Sequence, residues 1–166
     1  MINVLSCIAL VLATLAAGLL AGLFYSFSVS VMPGLARSED RTFVQTMQQI
    51  NIAIINPLFF FSFMGTPVLV GLAAVLHLGS DRRPVLVPLL LAFVAALGTL
   101  IITMALNVPL NNALDRAGHD LDRISDLAGV RKRFEGPWVR WNHIRTVTST
   151  AALAFMAWAL VEYGQL

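Results

Sequence analysis

Charge is what this sequence has least of. Only 12% of its 166 residues are Asp, Glu, Lys or Arg, where a water-soluble domain carries about 25%. With 58% hydrophobic residues and a mean hydropathy of +0.79, the chain reads as an integral membrane protein forming a single bundle. Cysteine is nearly missing too. Cys7 is alone, so no intrachain disulfide can form, and a packed core thiol is its reading. The N-terminus lacks the basic region of a signal peptide, and its apolar run is longer than one, so it reads as a retained span. A net charge of +2 offers no nucleic-acid surface. No internal repeat or low-complexity tract is present. His119, Asp120 and Glu135 are too scattered for a metal motif. His77 and His143 fall at opposite membrane faces, badly placed to share one haem iron.

What remains is a set of long apolar runs. They predict an all-α, four-transmembrane-helix bundle with spans at about 4–31, 52–78, 84–107 and 138–162, each long enough for a bilayer. The first ends at Met32-Pro33. Its Gly18, Gly22, Ser26 and Ser30 recur every fourth residue, a small-residue stripe suited to close helix packing, including a homo-oligomer contact through Gly18 and Gly22. Ser38 reads as a helix cap with Glu39 and Asp40 in the first turn. From Thr42 a mixed pattern predicts an amphipathic interfacial helix feeding the second span. Asn56-Pro57 interrupts that path, and Pro67 predicts a kink. His77 reads as an interfacial residue. The short Gly79–Arg83 connection makes spans two and three antiparallel neighbours, and Pro84 opens the third span.

Two polar faces stand out. Thr103, Asn107 and Asn111 lie four apart and share one side of the third span's end. Unpaired amides in hydrocarbon need partners, which favours a functional lining. In the fourth span, with Pro137 placed at the first helical position, Trp138, Trp141, Asn142, Arg145 and Ser149 fall on one face and His143 points away. An arginine here must face other helices, water or a partner group. A headgroup anchor is the competing account, since Trp and Arg both favour the interface. Between these faces, Leu121, Ile124, Ala128 and Phe134 predict a short amphipathic surface helix in loop three, which could also serve as a lid. Tyr25 is a further candidate cavity residue. Most basic residues outside the spans flank loops one and three. The positive-inside tendency then puts both termini on the non-cytoplasmic side of the plasma (inner) membrane and the polar faces at the cytoplasmic side.

Four blocks carry a resemblance: GLFYSFSVSVMPGL (Gly22 to Leu35), MQQINIAIINP (Met47 to Pro57), NVPLN (Asn107 to Asn111) and WVRWNHIRT (Trp138 to Thr146). In this order, over nearly the whole length, the chain resembles the anthrone oxygenase family of small four-span membrane proteins, long classed as a domain of unknown function. Members tied to chemistry oxidise an anthrone to an anthraquinone with molecular oxygen and no established cofactor; many others have no assigned activity. The resemblance implies an oxidoreductase without cofactor, acting on an apolar aromatic ligand that reaches it through membrane lipids. Trp138 and Trp141 would stack on the rings. Arg145 would stabilise the phenolate or enolate oxygen, and Asn142, Asn107 and Asn111 would hydrogen-bond its oxygens. The base stays open among His143, Glu135 and Tyr25. The competing reading is a non-enzymatic protein binding a lipid or quinone, or a structural partner subunit.

Overall fold

The computed structural model describes residues 4–79 and 83–165. Four helices are long and apolar enough to span a membrane: α1 (Val4–Leu35), α3 (Pro57–Leu76), α4 (Arg83–Asp115) and α5 (Leu127–Gly164). A shorter amphipathic helix, α2 (Asp40–Ala53), lies between the first two spans. No strand occurs among the described residues. The spans alternate in direction, so both ends of the described chain lie at one end of the bundle. Around the bundle α1 packs on α3 and α5, and α4 packs on α5 and α3, which leaves α1–α4 and α3–α5 as diagonals.

At the end holding Val4 and Gln165 the core is made largely of small and branched residues. Ala9, Ala13, Ala17, Val70, Ala73, Leu89, Ala92, Met156 and Ala159 mesh there, with Cys7 packed against them. His77, at the C-terminal end of α3, belongs to this end and is fully buried. Its Nδ1 lies 2.7 Å from the Ala73 carbonyl, and its ring meets Tyr163 edge-on. Pro67 is accommodated inside α3. The expected tight turn at Gly79–Arg83 falls largely on residues 80–82, outside the described ones; α4 takes in Arg83 ahead of Pro84.

The other end differs from the sequence expectations in several respects, each with a local cause. Glu39, not Ser38, holds the N-cap position of α2. The Ser38 hydroxyl instead donates back to the Leu35 carbonyl, so it closes α1. Buried Phe43, Val44 and Met47 form the apolar face by which the amphipathic α2 covers the bundle end. Its buried Gln48 donates to the carbonyls of Leu114 and Gly118, the latter a glycine at φ +101° where a side chain would be strained. Asn56 does break the chain. Its side chain caps α3 by accepting from the Phe59 N–H, and Pro57 takes the first position.

Pro137 does not open the fourth span. It lies within one continuous 38-residue helix that starts at Leu127, where the Asp126 carboxylate caps the Gly129 N–H. The proline removes only the bond to the Arg133 carbonyl, while Phe134 and Trp138 stack on one another at 6.0 Å in the core. The surface helix expected in loop three shrinks to a single turn, Leu121–Arg123, because Ala128 and Phe134 belong to α5. Both α1 and α4 outrun their expected ends through a widened π turn, at Phe27–Val31 and Thr103–Asn107. Each precedes a proline, Pro33 or Pro109. The proline ring crowds the carbonyl four residues back and offers no N–H, so the helix opens by one residue and carries on.

Candidate functional site

The face expected on α5 is present. Trp138, Asn142, Arg145 and Ser149 are buried in a row toward the bundle interior. Arg145 is only 5% exposed. Its guanidinium lies between two rings, 4.3 Å from the centre of Phe24 and 5.2 Å from that of Trp138. Nη2 donates to Asn142 Oδ1 at 2.8 Å. Among the described residues no carboxylate comes within ion-pair distance of it, and its Nε has no hydrogen-bond partner. Ring faces attract a cation by roughly 1–2 kcal/mol, far less than its hydration is worth. A buried cation so lightly compensated is costly.

Around it the neighbouring helices supply fixed polar groups. Asn142 Nδ2 donates to the Phe24 carbonyl and to Ser28 Oγ, at 3.1 and 2.9 Å. Ser28 also meets Thr146 at 2.8 Å and His143 Nδ1 at 3.1 Å. From α4, Asn107 Nδ2 donates to the Trp138 carbonyl, and Trp138 Nε1 donates to Asn111 Oδ1 at 2.8 Å. The π turns position Ser28 and Asn107 for these contacts.

Arg145 also forms part of the wall of a cavity of about 350 Å³. The stacked rings of Phe59 and Phe63, 5.1 Å apart and nearly parallel, line another side. Asn51, Asn111, Asn112 and Asp115 supply its polar groups. Phe60, Ile55 and Met104 line it too and are exposed on the lateral surface. A second recess of about 50 Å³ lies on the α1 side of Arg145, between Phe24, Phe27 and Trp138.

The expected site residues therefore separate. Arg145, Asn142, Trp138, Asn107 and Asn111 come together. Asn107 is fully buried and lines neither cavity, with its Oδ1 unpartnered. Widening the turn between Thr103 and Asn107 shifts the phase of the four-residue stripe, so Thr103 and Asn111 face the cavity and Asn107 faces α5. Trp141 sits at the edge of the face, half-buried under Arg140, and lines neither cavity. His143 is exposed and reaches the cluster only through Ser28. Glu135 is bound to Arg131. Tyr25 is 56% exposed and points outward. Gly18 faces Leu153 within the bundle, whereas a side chain at Gly22 would meet nothing.

Sequence reasoning missed Asp115, Asn51, Phe24, Phe59 and Phe63. Asp115 had a signal: it continues the four-residue stripe from Asn107 and Asn111. The others had none, because their roles come from packing between distant segments.

No curated relative matches the chain, and no solved structure does. The sequence profile described as anthrone oxygenase matches residues 59–155. That segment contains Asn107, Asn111, Asp115, Trp138, Asn142 and Arg145. The Gly22–Leu35 and Met47–Pro57 blocks precede it. With more than half of its length matched, the chain belongs to the anthrone oxygenase family.

Proposed function

We propose that the protein is a cofactor-independent oxygenase that takes an apolar, anthrone-like aromatic substrate from the bilayer. One observation carries this reading: a buried guanidinium with no acid partner on the wall of an aromatic-lined cavity. Such a site suits a flat, apolar molecule with one anionic oxygen. The ring system lies against Phe59 and Phe63. Arg145, on the cavity wall, holds the phenolate or enolate oxygen. Asn111 directs a second oxygen. Exposed Phe60 and Met104 mark a lateral entrance from lipid.

An anthrone is a carbon acid whose anion reduces dioxygen directly, so the reaction needs no metal or flavin in principle. Asp115, the carboxylate lining the cavity, takes the proton from the ring carbon opposite the carbonyl. Asn51 Nδ2 holds that carboxylate at 3.3 Å. The carbanion passes one electron to dioxygen, and the two radicals combine to form a C–O bond. Loss of the second C–H proton and cleavage of the O–O bond release water and leave the ketone. In sum, anthrone and dioxygen give anthraquinone and water. His143 has no part in proton abstraction here; it braces Ser28. The site opens toward the cytoplasmic face of the plasma membrane, with both termini on the opposite side, in line with the basic residues around loops one and three.

Purified protein in lipid nanodiscs should consume oxygen with an added anthrone faster than the spontaneous rate. Arg145→Ala should lower that excess by about 100–1000-fold, the usual cost of losing one oxyanion donor. Equal excess rates in a folded variant would reject the catalytic role. The lateral entrance also favours a second reading, a binding protein for a quinone or lipid. Saturable binding of a hydroxyanthraquinone, with no oxygen uptake above background, would select it.

A further inference from the structure

A groove of about 280 Å³ lies between the end of α4 and the start of α5, at the bundle end covered by α2. Its floor is apolar, made by Leu110, Leu114, Val130 and Phe134, and two guanidinium groups, Arg116 and Arg133, stand over it. Arg116 directly follows α4 and pairs with no carboxylate among the described residues. Arg133, exposed, comes no closer than 3.9 Å to Asp126. Two exposed cations over an apolar trough, at the end of one apolar span and the start of another, form an amphipathic seat.

We infer that this groove binds one anionic phospholipid of the surrounding bilayer. The two guanidinium groups chelate its phosphate, for which their planar donor forks are well shaped. The glycerol and first methylenes lie along Leu110, Val130 and Phe134, and the rest of the lipid stays in the membrane. A soluble phosphate would make no use of the apolar floor, and a zwitterionic lipid brings its own cation to compete with the arginines. The inference is independent of the proposed reaction, since the groove lies outside the Arg145 cavity. They meet at one point: Phe134, on the groove floor, packs at 6.0 Å on Trp138, the wall of the other site.

The test is native mass spectrometry of the detergent-solubilised protein titrated with phosphatidylglycerol or phosphatidylcholine. One phosphatidylglycerol should stay bound under conditions that strip phosphatidylcholine. Arg116→Ala with Arg133→Ala should weaken it about thirty-fold, from roughly a juxtamembrane cation's worth for each. Arg123→Ala, on an exposed arginine outside the groove, should change nothing. Should the double variant not fold, Arg133→Gln alone should still weaken binding several-fold. Three results would each overturn the proposal: unchanged affinity in a folded variant, equal retention of phosphatidylcholine, or displacement of phosphatidylglycerol by inorganic phosphate.

Discussion

Two arginines on α5, Arg131 and Arg145, differ in almost everything but their ring contact. Arg131 lies over Phe43 at 4.6 Å as Arg145 lies over Phe24. Arg131, however, has a full set of acceptors: Glu135, Asp40 and the carbonyls of Ser38 and Ala36, all within 2.9 Å. It ties the end of α1 and the start of α2 to α5. Arg145 has one amide acceptor and an unpartnered Nε. A structural cation is surrounded by what neutralises it, whereas a cation kept for a ligand leaves part of its valence open. The chain has acids enough to pair Arg145, yet among the described residues none lies within ion-pair distance of it.

Replacing each arginine in turn should therefore produce opposite outcomes. Arg145→Met keeps the volume and removes an uncompensated buried charge, so oxygen uptake should fall about a thousandfold. The thermal midpoint should hold or rise, as when buried ions give way to apolar groups. Arg131→Met should strand Glu135 and Asp40 and lower stability by about 2 kcal/mol, discounted for partial exposure. Turnover of its folded fraction should survive. If both variants lost stability equally, Arg145 would be a second clamp and the comparison would collapse.

Asp115→Asn sharpens the same contrast within the cavity. Asparagine keeps the size and the contact with Asn51 but cannot take a proton. Turnover should fall about a hundredfold, while binding of a hydroxyanthraquinone, measured by fluorescence quenching, stays close to wild type. Loss of binding and turnover together would make Asp115 a wall rather than the base.

How much of this was legible in the chain follows from how local each signal is. The spans were legible because each rests on a run of neighbouring apolar residues. The Trp138–Asn142–Arg145–Ser149 face was legible because helical spacing fixes it. Asn107 was misplaced because a π turn, forced by the later Pro109, breaks the regular phase. Pro137 was read as a start because a proline alone does not reveal that Asp126 has already capped the helix. The aromatic walls were out of reach. Phe24, Phe59 and Phe63 look like any lipid-facing phenylalanine until the bundle brings α1, α3 and α5 together. Arg131 and Arg145 have similar neighbours in sequence, and only the fold supplies one with acids and leaves the other without.

Arg41 completes the series at its weak end. Its Nη1 lies 2.7 Å from Asp122 Oδ1 across loop three, with both side chains well exposed. The hydrogen bond and the charge of Arg41 hold the Asp122 carboxyl below its ordinary range, and Asp122 raises Arg41 in turn. A depressed carboxyl contributes stability above its unfolded value and loses it as pH falls through the lower, folded one. Water and salt screen this pair, so the contribution is small. Arg41→Ala should leave turnover and the midpoint at neutral pH nearly unchanged. Its only trace should be a slightly shallower loss of stability on acidification, erased by added salt. A large drop at neutral pH would mean that α2 is held down by this exposed pair, and that burial of Phe43 and Met47 and the grip of Arg131 do less than their geometry indicates.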